Sequence, residues 1–350
     1  MPSFDSLLKS YDYELPQKLI AQHPAIKRDQ SRMLLLERQN GQISHRNFAE
    51  IISLLPNSSC LVINNTKVLS VRLPGKRRTG AVIEALLVEE KSEGLWSAIV
   101  RKAGRIKTGE LLEFCGGNIR AVAQKRLEEG EWLLSFDEAE LLKDRLEKFG
   151  LPPLPPYIER RQANDLQNAE DRERYQTCFA SEPGAIAAPT AGLHFTPEIL
   201  TEISKHGIDI LEVTLHVGLG TFSSIEVEDI RQHKMHAEFF SVSTQTLEQL
   251  KKFWKNKKKI ICIGTTSVRV LETLAQKNFK VRSGWTDIFI HEPYEFMMMD
   301  GLLTNFHLPK STLMILVSAF CGRDFLLSAY RQAVDHNYRF FSYGDCMLIL

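Results

Sequence analysis

Apolar and polar positions along this chain fall into two textures. From residue 1 to residue 65 a polar, proline-punctuated start leads to Arg32-Met-Leu-Leu-Leu-Glu37, an apolar run that predicts a buried strand. A helix is predicted over residues 47–55, then a strand over 60–63 that runs into Asn64-Asn-Thr-Lys67. The second texture follows at once. Short apolar runs cover residues 68–73, 81–88, 95–100, 110–114, 119–123 and 132–136, separated by turn signals at Pro74-Gly75, Gly94, Gly104, Gly109, Gly116-Gly117 and Gly130. Strands this short and this evenly spaced predict a small antiparallel barrel or sandwich. A helix over 137–149 comes next. Leu151-Pro-Pro-Leu-Pro-Pro156 then places four prolines in six residues, which is a stiff connector.

Beyond that connector the pattern is mixed α/β. Thr196-Pro197-Glu198 predicts a helix start, with Thr as N-cap, Pro in the first turn and an acid beside the positive helix end. The helix should stop at Gly207 and lead into a strand over 208–217. A second unit reads as a helix over 245–255, a strand over 259–263, Gly264-Thr-Thr-Ser267 and a helix to 276. Strands over 287–290 and 302–306, helices over 311–320 and 324–334, and a closing strand over 343–349 complete the chain. The expected architecture is an α/β domain of residues 1–66 and 151–350, with a small antiparallel β-barrel domain of residues 67–150 inserted.

Composition narrows the class. The chain has 350 residues, 43% hydrophobic and 25% charged, which suits a folded globular protein rather than a disordered one. Lys and Arg number 44 against 43 acids, so no single sign of charge coats it. The apolar run at 313–317 is too short to span a bilayer. Asp5 stands where a secretory leader would be basic and then apolar. Six cysteines without a CxxC pair read as reduced core thiols of a cytosolic protein.

Local charge is less even. Residues 66–107 hold ten Lys/Arg against four acids, including Lys76, Arg77, Arg78, Arg101, Lys102 and Arg105. Lys251-Lys-Phe-Trp-Lys-Asn-Lys-Lys-Lys259 packs six lysines around two aromatics. Each patch alone reads as a solvated surface; two in a neutral protein point to a phosphate backbone as partner.

Four loops are candidates for chemistry. They are Ala188-Pro-Thr-Ala-Gly-Leu-His-Phe-Thr196, Leu215-His-Val-Gly-Leu-Gly-Thr-Phe222, Gly264-Thr-Thr-Ser-Val-Arg269 and Asn305-Phe-His-Leu-Pro-Lys-Ser-Thr312. Each alone reads as a turn with an N-cap. Together they gather His194, His216 and His307, with His233 and His236 nearby. Neither glycine loop matches a phosphate-loop or dinucleotide fingerprint. His216, His233 and His236 allow a metal-dependent hydrolase as an alternative, although HExxH is absent and Glu238 is out of phase on a helix. A non-catalytic RNA-binding module built on the barrel is the other alternative.

Taken in order, the motifs resemble the S-adenosylmethionine:tRNA ribosyltransferase-isomerases of queuosine biosynthesis. The resemblance runs nearly end to end. It rests on Asp12-Tyr-Glu-Leu-Pro16, Arg28-Asp-Gln-Ser-Arg32, Asn64-Asn-Thr-Lys-Val68, Ala187-Ala-Pro-Thr-Ala-Gly-Leu-His-Phe-Thr196 and Val213-Thr-Leu-His-Val-Gly218. His233-Lys-Met-His236, Gly264-Thr-Thr-Ser-Val-Arg269, Gly284-Trp-Thr-Asp-Ile-Phe289, Thr304-Asn-Phe-His-Leu-Pro-Lys-Ser-Thr312 and Phe340-Phe-Ser-Tyr-Gly-Asp345 complete it. Asn65, Gln232 and Ala237 depart from the family pattern, so no role is carried over to them.

The resemblance implies transfer and isomerisation of the ribosyl group of S-adenosylmethionine onto 7-aminomethyl-7-deazaguanine at the tRNA wobble position. Epoxyqueuosine-tRNA, adenine and methionine would be the products. S-adenosylmethionine is then a consumed substrate, and no cofactor and no metal is expected. The implied partner is tRNA with a GUN anticodon, met in the cytoplasm by a monomer. Such chemistry needs a base beside the sulfonium, an acid for departing adenine and a held amine. His194, His216, His307 and Asp345 are the catalytic candidates. Thr190, Gly192, Gly218, Gly220, Thr265, Thr266, Arg269, Asn305, Lys310 and Ser311 are the substrate-binding ones.

Overall fold

The computed structural model describes residues 6–102, 104–127, 130–160, 165–218, 220 and 224–350. The chain divides into two compact units. One comprises Met1–Lys67, Pro155–Glu159 and Gln176–Leu350; the other comprises Val68–Leu154 and Arg160–Tyr175.

The first unit is built on a nine-stranded sheet. Its spatial order is Ser283–Thr286, Glu238–Ser241, Asp209–Leu215, Cys60–Asn64, Ile260–Ile263, Gly301–Asn305, Cys346–Ile349, Arg32–Glu37 and Gln42–Asn47. The four strands from Asp209–Leu215 to Gly301–Asn305 run parallel. Three of them are buried at every position, which is why they read as unbroken apolar runs rather than alternating ones. On one face Leu61, Ile63, Ile261, Ile263 and Leu303 pack with Phe48, Ile199 and Ile203. The helix Thr265–Gln276, ten of its residues buried, packs on three of the parallel strands.

Helix starts follow the local chemistry. Thr196 accepts from the Ile199 amide at 3.3 Å ahead of the helix Pro197–Lys205, and Ser311 caps Thr312–Cys321 through the Met314 amide. Two expected elements change. The strand predicted at 287–290 lies instead at Ser283–Thr286, where Trp285 pairs with Phe239 across the edge. The predicted helix over 47–55 shortens to a turn at Phe48–Glu50 and one helical turn at Ile51–Leu54, because Asn47 belongs to the strand Gln42–Asn47. That strand is mostly exposed and polar, so no apolar periodicity marks it.

The second unit is a closed six-stranded barrel in the order Trp132–Phe136, Leu95–Arg101, Val82–Ser92, Arg72–Arg77, Leu111–Phe114, Ile119–Arg126. Alternate residues fill it: Ile83, Ala85 and Leu87, then Trp96, Ala98 and Val100, then Leu112 and Phe114. Gly75 leaves room for the Phe114 ring, which a Cβ would strike. The apolar run from 68 enters the barrel only at Arg72. Residues 160–175, assigned to the α/β domain from sequence, group with the barrel instead. Asp171, on the helix Asp165–Arg174, forms a buried ion pair with Arg160 at 2.7 Å, and Arg172 donates to the Gly150 carbonyl.

All six cysteines are free, but only Cys60, Cys262 and Cys346 are buried; Cys178 is exposed. Among the described residues no single helix is long and apolar enough to cross a membrane.

Candidate functional site

Strand direction brings the scattered motifs to one edge. The parallel strands end at His216, at Asn65-Thr66, at Gly264-Thr265-Thr266 and at Phe306-His307. Cys346–Ile349 runs the opposite way with Cys346 beside Asn305, so Asp345 reaches the same edge. Met33 pairs with Cys346, which places Ser31 there too, and Glu238 lies opposite Thr286 on the other flank. Open α/β sheets bind ligands outside the carboxyl ends of their strands.

The loop Thr190–His194 lies over this edge as a tight turn with four of its five residues buried. Gly192 permits it: a Cβ there would stand 2.7 Å from the Phe179 ring and 2.8 Å from the Thr177 methyl. Gly264, at φ +86°, turns the strand into the next helix in a backbone region that side chains avoid, close beneath Ala191. His194 is 4% exposed, with Nδ1 2.8 Å from Ser31 Oγ and its ring against Phe48. Burial holds its pKa down at about 4, so the ring is neutral at pH 7. Its Nε2 has no hydrogen-bond partner, and neither do the buried Asn305 Oδ1, Thr177 Oγ1 and Thr266 Oγ1. Buried polar atoms are normally paired, so a set of four at a strand-end edge marks a place for a ligand.

The other histidines are occupied differently. His307 is buried, with Nε2 2.8 Å from Thr304 Oγ1 and its carbonyl accepting from Tyr13; burial lowers its pKa to about 3. His216 is half-buried, with Nδ1 2.8 Å from Thr66 Oγ1, its ring stacked on Phe239, and a pKa lowered by burial. Gly184 packs its backbone on that ring; a Cβ would stand 2.6 Å from it. His233 and His236 follow in the chain, and Gly220 packs against His236. Among the described residues no three His, Cys, Asp or Glu side chains group to hold a metal. In the loop Leu215 to Phe222, residues 219, 221 and 222 lie outside the described residues.

Several candidates turn out to be spent on the fold. Asp345 accepts from the Arg32 amide, the Arg339 amide and the Arg32 guanidinium, so it is a strut rather than a group offered to the cleft. Arg269 is buried against Glu238 and donates to the Thr286 carbonyl; Glu238 in turn accepts from the Gly218 amide at 2.8 Å. Glu238 meets its charge and also holds the Gly218 loop, while the buried Arg269 Nε has no hydrogen-bond partner. Thr265 is a buried first-turn residue beside Thr266. Lys310 pairs with Asp12 at 2.8 Å, and Ser311 serves as an N-cap. Sequence reading missed Ser31 and Thr177, and weighed Glu238 only as a metal ligand. Ser31 sits inside the motif Arg28–Arg32, but nothing in a linear pattern says that Ser31 and Thr177 face His194 and Gly192. Asn65 donates to Glu212 at 3.0 Å; a carboxylate at position 65 could not.

The basic stretch of the barrel is also mixed. Its residues lie at one barrel end, around the turn after Arg77 and the loop after Arg101. Arg77 is only 12% exposed and is clamped by both oxygens of Glu110 at 2.8 Å. Lys76, Arg78, Arg101, Lys102 and Arg105 are exposed; Lys76 and Arg101 have loose acidic neighbours, Glu113 at 3.8 Å and Glu84 at 3.4 Å. The lysines from Lys257 to Lys259 precede the strand Ile260–Ile263 and so lie at the opposite edge of the sheet from the strand ends described above.

Comparison with known proteins identifies the family. The family described as "Queuosine biosynthesis protein" matches residues 8–349. The chain is 46% identical to the S-adenosylmethionine:tRNA ribosyltransferase-isomerase of Thermotoga petrophila over 346 residues, covering 98% of this chain and 99% of the relative. The enzyme of the same description from Halothermothrix orenii is 45% identical with the same coverage. The crystal structure of S-adenosylmethionine tRNA ribosyltransferase from Thermotoga maritima is 37% identical, with TM-score 0.54 over 97% of this chain and 100% of that one. Nearly complete coverage of the chain by one family shows that it belongs to the queuosine-biosynthesis family of S-adenosylmethionine:tRNA ribosyltransferase-isomerases.

Proposed function

We propose that this enzyme transfers the ribosyl group of S-adenosylmethionine to the aminomethyl group of a 7-deazaguanine at the wobble position of a GUN-anticodon tRNA. It then rearranges the sugar to an epoxycyclopentanediol, releasing adenine and methionine. S-adenosylmethionine is consumed and no further cofactor takes part. The enzyme works as a monomer in the cytoplasm. The sheet unit carries the chemistry, and the exposed cations of the barrel unit contact RNA phosphates.

The observation that carries this reading is the group of unpartnered buried polar atoms at the strand ends. The reaction needs a water-poor cleft that holds an amine against a sugar carbon made acidic by the neighbouring sulfonium. A proton must leave that carbon, and departing adenine must gain one. Neutral imidazoles suit the first task. His194 leads because its Nε2 is uncommitted, whereas the Nε2 of His307 is held by Thr304. His216, half-buried, is the candidate nearest to solvent. The test is to incubate the protein with precursor tRNA and S-adenosylmethionine carrying label in ribose or in methyl. Ribose label should enter tRNA and methyl label should leave with methionine. Methyl label in the tRNA would refute the reading and favour a methyltransferase.

A further inference from the structure

Three aromatic rings stand side by side on the flank of the sheet, beginning at the strand-end edge. The His216 amide donates to the Phe239 carbonyl at 2.9 Å, and Phe239 pairs with Trp285 on the edge strand Ser283–Thr286. Residues opposite each other on neighbouring strands share a face of the sheet, and here their rings meet. His216 and Phe239 are stacked with centroids 6.0 Å apart, and Phe239 and Trp285 meet edge to face at 5.8 Å. The alternate row, Leu215, Phe240 and Gly284, points the other way, and its two side chains are fully buried.

This row of rings is closed at one end and open at the other. The Gly184 backbone packs on the His216 ring, so that imidazole has no room for a further stacked group on that side. Phe239 is half-buried between its two neighbours. Trp285 is 64% exposed, on the outermost strand of the sheet. A single exposed apolar residue is commonplace, but this indole is the open end of a row whose closed end lies where the parallel strands finish. Asp287 is exposed two positions further along and would repel a phosphate. The indole therefore suits an uncharged, flat partner rather than a charged backbone.

We propose that Trp285, braced by Phe239 and His216, is the stacking platform for an unpaired base of the RNA substrate, on the nucleotide next to the one that is modified. This rests on the ribosyltransferase reading, in which the reacting base enters at the strand ends from a single-stranded anticodon loop. Unpaired bases are held largely by stacking on aromatic side chains, because every base offers a π-face. Phe239 stands between Trp285 and His216, so a base on the indole belongs to a neighbour of the reacting nucleotide and not to that nucleotide itself. Trp285 then contributes to capture and placement of the loop and takes no part in the bond changes.

The test uses the full-length protein and an anticodon stem-loop RNA carrying the 7-deazaguanine precursor. Trp285→Ala should raise the KM for this RNA about 10-fold, and Trp285→Phe, which keeps a ring, much less. The kcat at saturating RNA and the KM for S-adenosylmethionine should stay as they are. The salt dependence of RNA affinity should also stay, since no phosphate contact is lost. Abasic nucleotides placed in turn on either side of the wobble position identify the partner. One of them should cost the unaltered enzyme about 10-fold and cost Trp285→Ala nothing further. An unchanged KM in Trp285→Ala, a flattened salt slope, or losses that multiply for both abasic positions would overturn the proposal. So would a dimer of the unaltered protein that dissociates in Trp285→Ala, which would make the edge strand a contact between two copies of this chain. Should Trp285→Ala fail to fold, quenching of indole fluorescence by the stem-loop decides: it is expected in the unaltered protein and not in Trp285→Phe, and equal quenching in both would overturn the platform. Absence of ribosyl transfer by the unaltered enzyme would break the functional reading instead, while binding of the same RNAs still reads the platform.

Discussion

Asp345 and His194 are buried at the same edge of one sheet, bonded to the neighbouring residues Arg32 and Ser31, yet they spend their polar atoms in opposite ways. Asp345 takes three donors, two of them backbone amides. His194 commits Nδ1 and keeps Nε2 free. Both were catalytic candidates, and sequence alone could not separate them. The contrast teaches that burial of a polar residue near a site is no sign of chemistry; an uncommitted atom is. A carboxylate with three donors holds chain segments together, whereas an imidazole nitrogen left unpaired in the interior lowers stability.

The strongest way to break this contrast is to exchange the phenotypes. His194→Gln should lower turnover by on the order of 1000-fold, within the range for acid–base groups, while tRNA affinity changes little because phosphate contacts dominate it. His307, whose Nε2 is already bonded, should be less sensitive. Single-turnover assays beside filter binding would read both, and equal losses would erase the distinction. Asp345→Ala should do the reverse, costing about 3 kcal/mol of stability by leaving amides and a guanidinium unpaired, as read from urea midpoints. A stable Asp345→Ala protein with abolished turnover would return Asp345 to the catalytic set.

Acidity sharpens the same comparison. His194 and His307 are held at about 4 and about 3 in the folded protein, below the ordinary value near 6.5 in the unfolded chain. Below the unfolded value the unfolded chain binds more protons, so stability is full above about pH 6.5 and falls as pH drops towards the folded values. Between pH 7 and pH 5 the loss should be about 2 kcal/mol per ring. Urea titrations at both pH values test this, and a flat response would mean that the rings are not buried neutral.

Smaller effects concern the barrel. Lys76→Glu and Arg78→Glu should each weaken tRNA binding and flatten its salt slope by about one unit. Arg77→Ala should mainly loosen the loop held by Glu110, with little change in that slope. Salt-dependent filter binding separates the two. The smallest effect is expected for Ser311→Ala, which removes an N-cap worth about 1 kcal/mol and should leave the KM for S-adenosylmethionine unchanged. A raised KM there would restore Ser311 as a ligand contact.

Much of the molecule was legible from the residues. Apolar runs such as Cys60-Leu-Val-Ile63 and Lys259-Ile-Ile-Cys-Ile263 marked the buried parallel strands, and Thr196-Pro197 and Ser311 marked helix starts. The regular short runs between Leu95 and Phe136 marked the barrel. These signals are local: a period, a cap or a turn is decided by residues a few positions apart. The edge strands Gln42–Asn47 and Ser283–Thr286 were missed for the same reason, since half their surroundings are solvent and no period is imposed on them.

The motifs of the family were likewise present in the linear order, and with them the candidate histidines and the four loops. Tertiary structure alone decided which of those groups remain free. Whether Arg269 meets a ligand or Glu238, and whether Asp345 faces a cleft or two amides, depends on partners 31 and 313 positions away in the chain. The same holds for His194, whose Nδ1 meets Ser31 Oγ from 163 positions away. Hydrogen bonds are short-ranged and saturable, so a polar side chain's role is settled by whichever donors and acceptors folding brings within reach, and no local pattern in the sequence records that.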